Sequence, residues 1–325
     1  MATALLTGGA GFIGSHLAEA LLKRGDSVII VDNFDAYYAR EIKQRNLDMV
    51  RQAGDVVFVQ ADAGDYEAMR SLMRRHQVEM VFHEASRPGV RASLAEPLVT
   101  HHKNVDVSLH LLQAATETEV DCFVNASSSS VYGEPDSLPL NEAQCCRPLS
   151  PYGASKLSVE AYVRSFHRVY GLPSVSLRYF TVYGPRMRPD LAIFHFTRKL
   201  LDGERPVVFG DGMQKRDFTY IDDIVDANLR VIERQPWGET VNIGSGRHIS
   251  VNELLDLLSA ITGRAAHPVY QEKIAGDVSD TWADVDRARR LLGWQPKVRL
   301  EDGLRRYVDW YQEQRELYHR CLAHL

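Results

Sequence analysis

Short apolar runs and helical patterns alternate through the first half of the chain. Residues 4–6 (ALL), 27–32 (SVIIVD), 55–62 (DVVFVQAD), 79–86 (EMVFHEAS), 121–128 (DCFVNASS) and 174–180 (SVSLRYF) are rich in Val, Ile and Phe and turn polar only near their ends. Runs without polar alternation predict strands covered on both faces, hence a parallel sheet flanked by helices. Between them lie amphipathic stretches such as FIGSHLAEALLKRG, which predicts a helix stopping at Gly25. The pattern predicts a doubly wound α/β (Rossmann) fold, with ligands in the crevice at the carboxyl ends of the strands. Beyond about residue 180 the rhythm changes, as Pro185, Pro189, Pro206, Pro236, Pro268 and Pro296 break up shorter elements. The expected division is 1–180 for the doubly wound domain, joined by a returning segment around 218–245, and 181–325 for a smaller, mostly helical ligand-binding domain.

Composition narrows the class. The chain has 325 residues, 45% hydrophobic and 25% charged, as a folded globular protein should. A net charge of -5 gives no global positive field for nucleic acid. No stretch approaches the roughly 20 apolar residues of a membrane span, and MATALLTGGAGFIG has no leader-like basic segment. No nucleic-acid or membrane partner is expected, and the cytoplasm is the expected location. The four cysteines are too few for a disulfide framework in a chain this long. Neither Cys145-Cys146 nor His101-His102 comes with metal-ligand spacing, so no metal is expected.

Thr7-Gly8-Gly9-Ala10-Gly11-Phe12-Ile13-Gly14 follows the first strand and opens the first helix. Glycines at 8, 11 and 14 permit a tight turn and close approach of backbone to a pyrophosphate, whose charge a helix N-terminus favours. Asp32 ends the second strand 18 residues beyond Gly14, where a carboxylate receives the adenosine ribose hydroxyls. It would repel a 2′-phosphate, so NAD is expected over NADP. Asp62, ending the third strand, either receives the adenine amino group or caps its own loop.

Tyr152-Gly-Ala-Ser-Lys156 sets two side chains one helical turn apart on one face. A free phenol titrates at about 10; an adjacent ammonium and an oxidised nicotinamide both favour its ionised form. The fifth strand runs into Ser127-Ser128-Ser129-Ser130, hydroxyls able to relay a proton between a substrate hydroxyl and the tyrosine.

With these residues in place, the chain resembles the extended short-chain dehydrogenase/reductase family. TGGAGFIGSHL, VDN, SSSSVYG, SPYGASK, RYFTVYGP, RDFTYIDDI, VNIGSG and GDVSDTWAD match it in order over nearly the whole length. The resemblance implies Tyr152 as base and acid, Lys156 as its partner and Ser128 as the hydroxyl relay. It places Gly8, Gly11, Phe12, Ile13, Gly14, Asp32, Asn33, Asp62, Ala63, Ala85, Ser86, Asn104 and Tyr179 on cofactor positions. The implied reaction is 4-epimerisation of a nucleotide sugar through a 4-keto intermediate, with NAD retained and regenerated. SRPGVRASL, TVYGPRMRPD and RDFTYIDDIV are similar to the branch acting on UDP-glucuronate; UDP-glucose is the alternative substrate.

Dehydratases and decarboxylases of the family usually carry an acidic residue two positions before the VYG tyrosine, often with another beside it. Ser129 and Ser130 stand here, which argues against loss of water or carbon dioxide. Ser129 is expected at the sugar, Arg216 at the diphosphate and Asp277 at the ribose. The family often has an Arg three residues before that Asp, where this chain has Ile274; Lys273 is the available substitute. Thr181 with Arg188 is expected to read a sugar carboxylate, with Arg186 the competing choice and Arg91 a further lining residue. The resemblance also implies a homodimer pairing through the helix of Tyr152 and that around 98–117; core packing is the competing account of their apolar residues.

Overall fold

Each apolar run forms a strand. The computed structural model, which describes residues 1–273 and 276–322, runs through β1 (Thr3–Thr7), α1 (Phe12–Arg24), β2 (Ser27–Val31), α2 (Arg40–Ala53), β3 (Val56–Val59), α3 (Tyr66–His76) and β4 (Met80–His83). Short helices α4 (Val90–Ala95) and α5 (Pro97–His101) lead through a wide helical turn into α6 (Val107–Glu117), β5 (Cys122–Ser128), α7 (Pro151–Tyr170) and β6 (Ser174–Tyr179). There follow β7 (Thr181–Tyr183), α8 (Ala192–Leu201), β8 (Val207–Phe209), β9 (Lys215–Arg216), β10 (Phe218–Tyr220), α9 (Ile221–Arg234) and β11 (Thr240–Ile243). The chain ends with β12 (Ile249–Ser250), α10 (Val251–Thr262), β13 (Val269–Gln271), α11 (Asp286–Leu292) and α12 (Leu300–Leu322).

Seven strands form one parallel sheet in the order β11-β6-β5-β4-β1-β2-β3. The order reverses between β1 and β4, where Thr7 lies opposite His83 and a crevice opens at the strand ends. Alternate residues enter different layers: Leu6, Ile30, Phe82 and Val124 on one side, Leu5, Ile29, Val81 and Phe123 on the other. This double burial is why the strands read as continuous apolar runs. β3 departs from that pattern because it is the outer strand, and Val57 is 44% exposed.

β11 reaches the sheet from the returning segment, after α9 has packed on α1. The remaining strands of the second half pair only two by two, as β10-β7, β12-β9 and β13-β8. Their neighbours α8, α10 and α12 enclose an aromatic cluster in which Phe194 meets Tyr311 at 5.3 Å and Tyr318 at 5.1 Å. Among the described residues, no helix is long and apolar enough to cross a membrane.

Candidate active site

At the end of β1 the chain turns through Gly8 into α1. Gly8 has φ +69°, and a Cβ there would lie 2.8 Å from the backbone nitrogen of Ala85. A Cβ on Gly14 would come within 2.4 Å of the Gly8 carbonyl oxygen, so turn and helix meet backbone to backbone. Gly11 caps α1 without a side chain, and the first turn holds no acidic residue. Its free N–H groups and the positive end of the helix are therefore available to an anion. This cradle fits the pyrophosphate of a dinucleotide.

Gly8, Gly11, Phe12, Ile13 and Gly14 line one cleft with Asp32, Asn33, Asp62, Ala63, Ala85 and Ser86, and on the β5–β6 side with Tyr152, Lys156 and Tyr179. Asp32 accepts from the N–H of Ala10 at 3.2 Å and of Phe34 at 2.8 Å. Burial raises its pKa, opposed by Lys43 and those two N–H groups. Asp62 accepts from Asn33 Nδ2 at 2.9 Å and Gly64 N–H at 2.8 Å, so it fixes its own loop while facing the cleft. Asn104 lies buried behind this wall. Its Oδ1 accepts from Arg87 N–H at 2.6 Å, and its Nδ2 donates to Arg87 O at 3.1 Å and Ser155 Oγ at 2.9 Å. It pins the loop after β4 to α7.

β5 presents Ser128 at its last position, where its hydroxyl accepts from Ser130 N–H and donates to Ser130 Oγ, both at 3.2 Å. Ser150 starts α7 by accepting from Gly153 N–H at 3.1 Å, with Pro151 in the first turn. A Cβ on Gly153 would sit 2.4 Å from Ser130 O, so only glycine lets the helix close on the serine run and bring Tyr152 beside it. Lys156, one turn on, is buried and donates to Ala126 O at 2.7 Å, its ammonium 6.0 Å from the Tyr152 ring centre. Burial pulls the Lys156 pKa down to about 8, against Glu84 and Glu160. Burial also pushes Tyr152 above the ordinary phenol value, outweighing the nearby Ser128 hydroxyl and the Arg188 guanidinium. The protein groups alone thus act opposite to the lowering expected from an adjacent ammonium, because enclosing the phenol costs more than they return.

The cleft continues along Ser129, Thr181, Arg188, Arg216 and Asp277. The two arginines of GPRMRP diverge. Arg186, at φ +65° and buried, turns away to Glu19 at 2.5 Å and Ser15 Oγ at 3.3 Å on α1. Arg188 faces the cleft, with Nε and Nη2 on Asp190 at 2.9 and 3.2 Å, and the Tyr37 hydroxyl donates to the same carboxylate at 3.1 Å. Arg216 Nη2 donates to Asp277 Oδ1 at 2.7 Å, so these two predicted contacts pair with each other. Arg91 stacks on the Phe209 ring at 4.2 Å, outside the lining just described. Ile274 lies outside the described residues.

The pattern of the NAD dependent epimerase/dehydratase family matches residues 4–244. The chain is 39% identical over 317 residues to the UDP-glucuronate 4-epimerase of Thermodesulfobacterium geofontis (strain OPF15), covering 96% of this chain and 97% of that protein. The chain belongs to the NAD-dependent epimerase/dehydratase family. A crystal structure of UDP-glucuronic acid 4-epimerase from Bacillus cereus, in complex with UDP-glucuronic acid and NAD, matches with a TM-score of 0.92 at 36% identity over 96% of this chain and 99% of that one. UDP-glucose 4-epimerase from Thermotoga maritima, solved with UDP-glucose, matches with a TM-score of 0.90 at 38% identity over the same shares.

In this epimerase/dehydratase chain, sequence reasoning missed the support behind the site. Glu160 lies one turn past Lys156 and holds Arg178 of β6 through contacts of 2.9 and 2.7 Å, while Ser127 Oγ donates to it at 2.5 Å. The signal was available: Arg178 is a charge inside an apolar run, and 152, 156 and 160 share one helix face. Lys43 and Glu84, both lining the cleft, carried no such spacing.

Proposed function

We propose that the chain is an NAD-dependent 4-epimerase interconverting UDP-glucuronate and UDP-galacturonate. The observation that carries this reading is the Arg188 guanidinium in the same cleft as Tyr152, Ser128 and Lys156, since a uronate differs from a neutral hexose by an anion. Its similarity to UDP-glucuronate 4-epimerases supports it.

Gly8, Gly11 and Gly14, with the N–H groups of Phe12 and Ile13, would hold the pyrophosphate of NAD. Asp32 and Asn33 would take the adenosine ribose, Asp62 and Ala63 the adenine, and Ala85, Ser86 and Tyr179 the nicotinamide half, with Asn104 steadying the 85–88 loop. When bound, NAD would supply the hydride acceptor and donor that oxidation and re-reduction at C4 of the sugar require. Tyr152 removes the proton of the 4-hydroxyl and later gives it back, with Ser128 bonded to the same oxygen. Lys156, anchored on Ala126 O, holds a positive charge one turn from the phenol. Ser129 and Ser130 are poor bases for the C5 proton, so the ketone is turned over and not dehydrated.

Arg216 and Asp277 are assigned to the diphosphate and ribose, Ser129 to the sugar, Thr181 and Arg188 to its carboxylate, and Arg91 to the positive field of that wall. A 4-keto uronate is a β-keto acid, and a forked contact would keep its carboxylate out of the plane that favours loss of carbon dioxide. Residues 1–180 with 218–245 form the cofactor domain in this reading, and the remainder binds the nucleotide sugar. A cytoplasmic homodimer completes it, since Leu98 of α5 and Tyr162, Val169 and Tyr170 of α7 expose apolar surface at 83%, 40%, 68% and 61%.

Incubation with UDP-glucuronate and separation of the 4-epimers tests the reading. UDP-galacturonate should accumulate with no added oxidant and no pentose product; absence of the epimer refutes it. Epimerisation of UDP-glucose is the second reading, favoured by one contact. Asp190 already balances Arg188, so a neutral sugar would not leave that cation unpaired.

A further inference from the structure

Just past β4, Glu84 opens onto the cleft that holds Tyr152, Lys156 and Tyr179. No step of the proposed reaction uses its carboxylate. Asn228 of α9 spends its Nδ2 protons on Ile224 O at 2.9 Å and on the Tyr179 hydroxyl oxygen at 2.8 Å. The proton of that hydroxyl is offered to Glu84 Oε1 at 2.9 Å in preference to Asn228 Oδ1 at 3.1 Å, because a carboxylate is the stronger acceptor. β6 and α9 together therefore favour Glu84 in its charged form.

The surrounding charges are otherwise spoken for. Glu160 is paired with Arg178, and Arg188 with Asp190. His83, next in sequence, bonds Thr7 Oγ1 and Ser108 Oγ at 2.8 Å each, and burial drops its pKa to about 3, so it is neutral. Glu84 makes no ion pair among the described residues, which leaves Lys156 and Tyr152 of α7 as the ionisable catalytic groups facing its charge.

We propose that Glu84 is a positioning residue that sets the pH window of the Tyr152–Lys156 pair, by holding Lys156 as an ammonium and Tyr152 as a neutral phenol up to higher pH. This deepens the function proposed above and rests on Tyr152 being its base. The physics is direct: an opposite charge favours the ammonium, and a like charge disfavours the phenolate. Burial lifts Glu84 itself to about 7, against Tyr179 and Lys156, so its charge develops within the neutral range.

The test compares the wild-type holoenzyme with Glu84→Gln and Glu84→Asp by two readouts. One is the pH dependence of kcat/KM for UDP-glucuronate. The other is the ultraviolet titration of Tyr152, taken as the difference from the same protein carrying Tyr152→Phe. Glutamine keeps the shape and still accepts from Tyr179. In Glu84→Gln both limbs of the pH profile should move to lower pH by about one unit, with phenolate appearing correspondingly earlier. Glu84→Asp, which keeps the charge, should stay closer to the wild type. Activity lost with both limbs unmoved, or an unmoved Tyr152 titration, would overturn the proposal. Should the glutamine variant not fold, Tyr179→Phe must move the limbs the same way by less, and unmoved limbs overturn it equally. Should the wild type fail to epimerise UDP-glucuronate, the substrate reading falls, while the Tyr152 titration still judges Glu84 by itself.

Discussion

On the nucleotide side of the cleft, backbone meets backbone. Gly8 lies against Ala85, Gly14 lies against the Gly8 carbonyl, and no side chain caps the start of α1. On the side proposed for the sugar, the cleft carries charged side chains that each already hold a protein partner: Arg188 with Asp190, Arg216 with Asp277. A steric fit admits one shape and has no second state. An ion pair can exchange one carboxylate for another at modest cost, because partner and competitor share the same chemistry. The first wall is therefore suited to a ligand that never changes, and the second to choosing among related sugars.

Three substitutions test that contrast. The largest effect is expected from Arg186→Ala, which strands Glu19 in a mostly buried position. Denaturant unfolding should show a loss of about 4 kcal/mol, with the preference for UDP-glucuronate over UDP-glucose unchanged in whatever enzyme remains folded. A changed preference would mean that Arg186, not Arg188, reads the sugar. Next, Arg188→Ala should lower kcat/KM for UDP-glucuronate by roughly 100-fold, about 2.7 kcal/mol, and leave UDP-glucose nearly untouched. Equal losses on both sugars would remove the charge-reading role. The smallest stability change, about 2 kcal/mol, belongs to Gly14→Ala, whose methyl must displace the Gly8 carbonyl. Its decisive readout is dinucleotide content after purification, which should fall to near nothing. Full retention of NAD would show that the first wall yields, and the contrast between the walls would fail.

Legibility of the molecule follows the same division. Glycine spacing, apolar runs and the Tyr152–Lys156 interval are local patterns, and local patterns survive in one dimension. They predicted the sheet, the crevice and the helix that carries the phenol. Partner choice is not local. Nothing in GPRMRP tells which arginine turns inward, because Glu19 lies 167 positions away on α1. Glu84 was equally silent, since its significance depends on Tyr179 and Asn228, brought to it by two other elements. The upward push on Tyr152 was unreadable for the same reason, as enclosure is a property of the assembled cleft.

The sheet is finished only when Thr240–Ile243 docks beside β6, after residues 181–239 have been synthesised. A fragment cut at residue 180 would leave β6 as an unpaired border, with a row of open N–H and C=O groups, and α1 without its cover from α9. The first 180 residues are thus no detachable cassette: the nascent polypeptide must wait for its later portion before the earlier one is sealed.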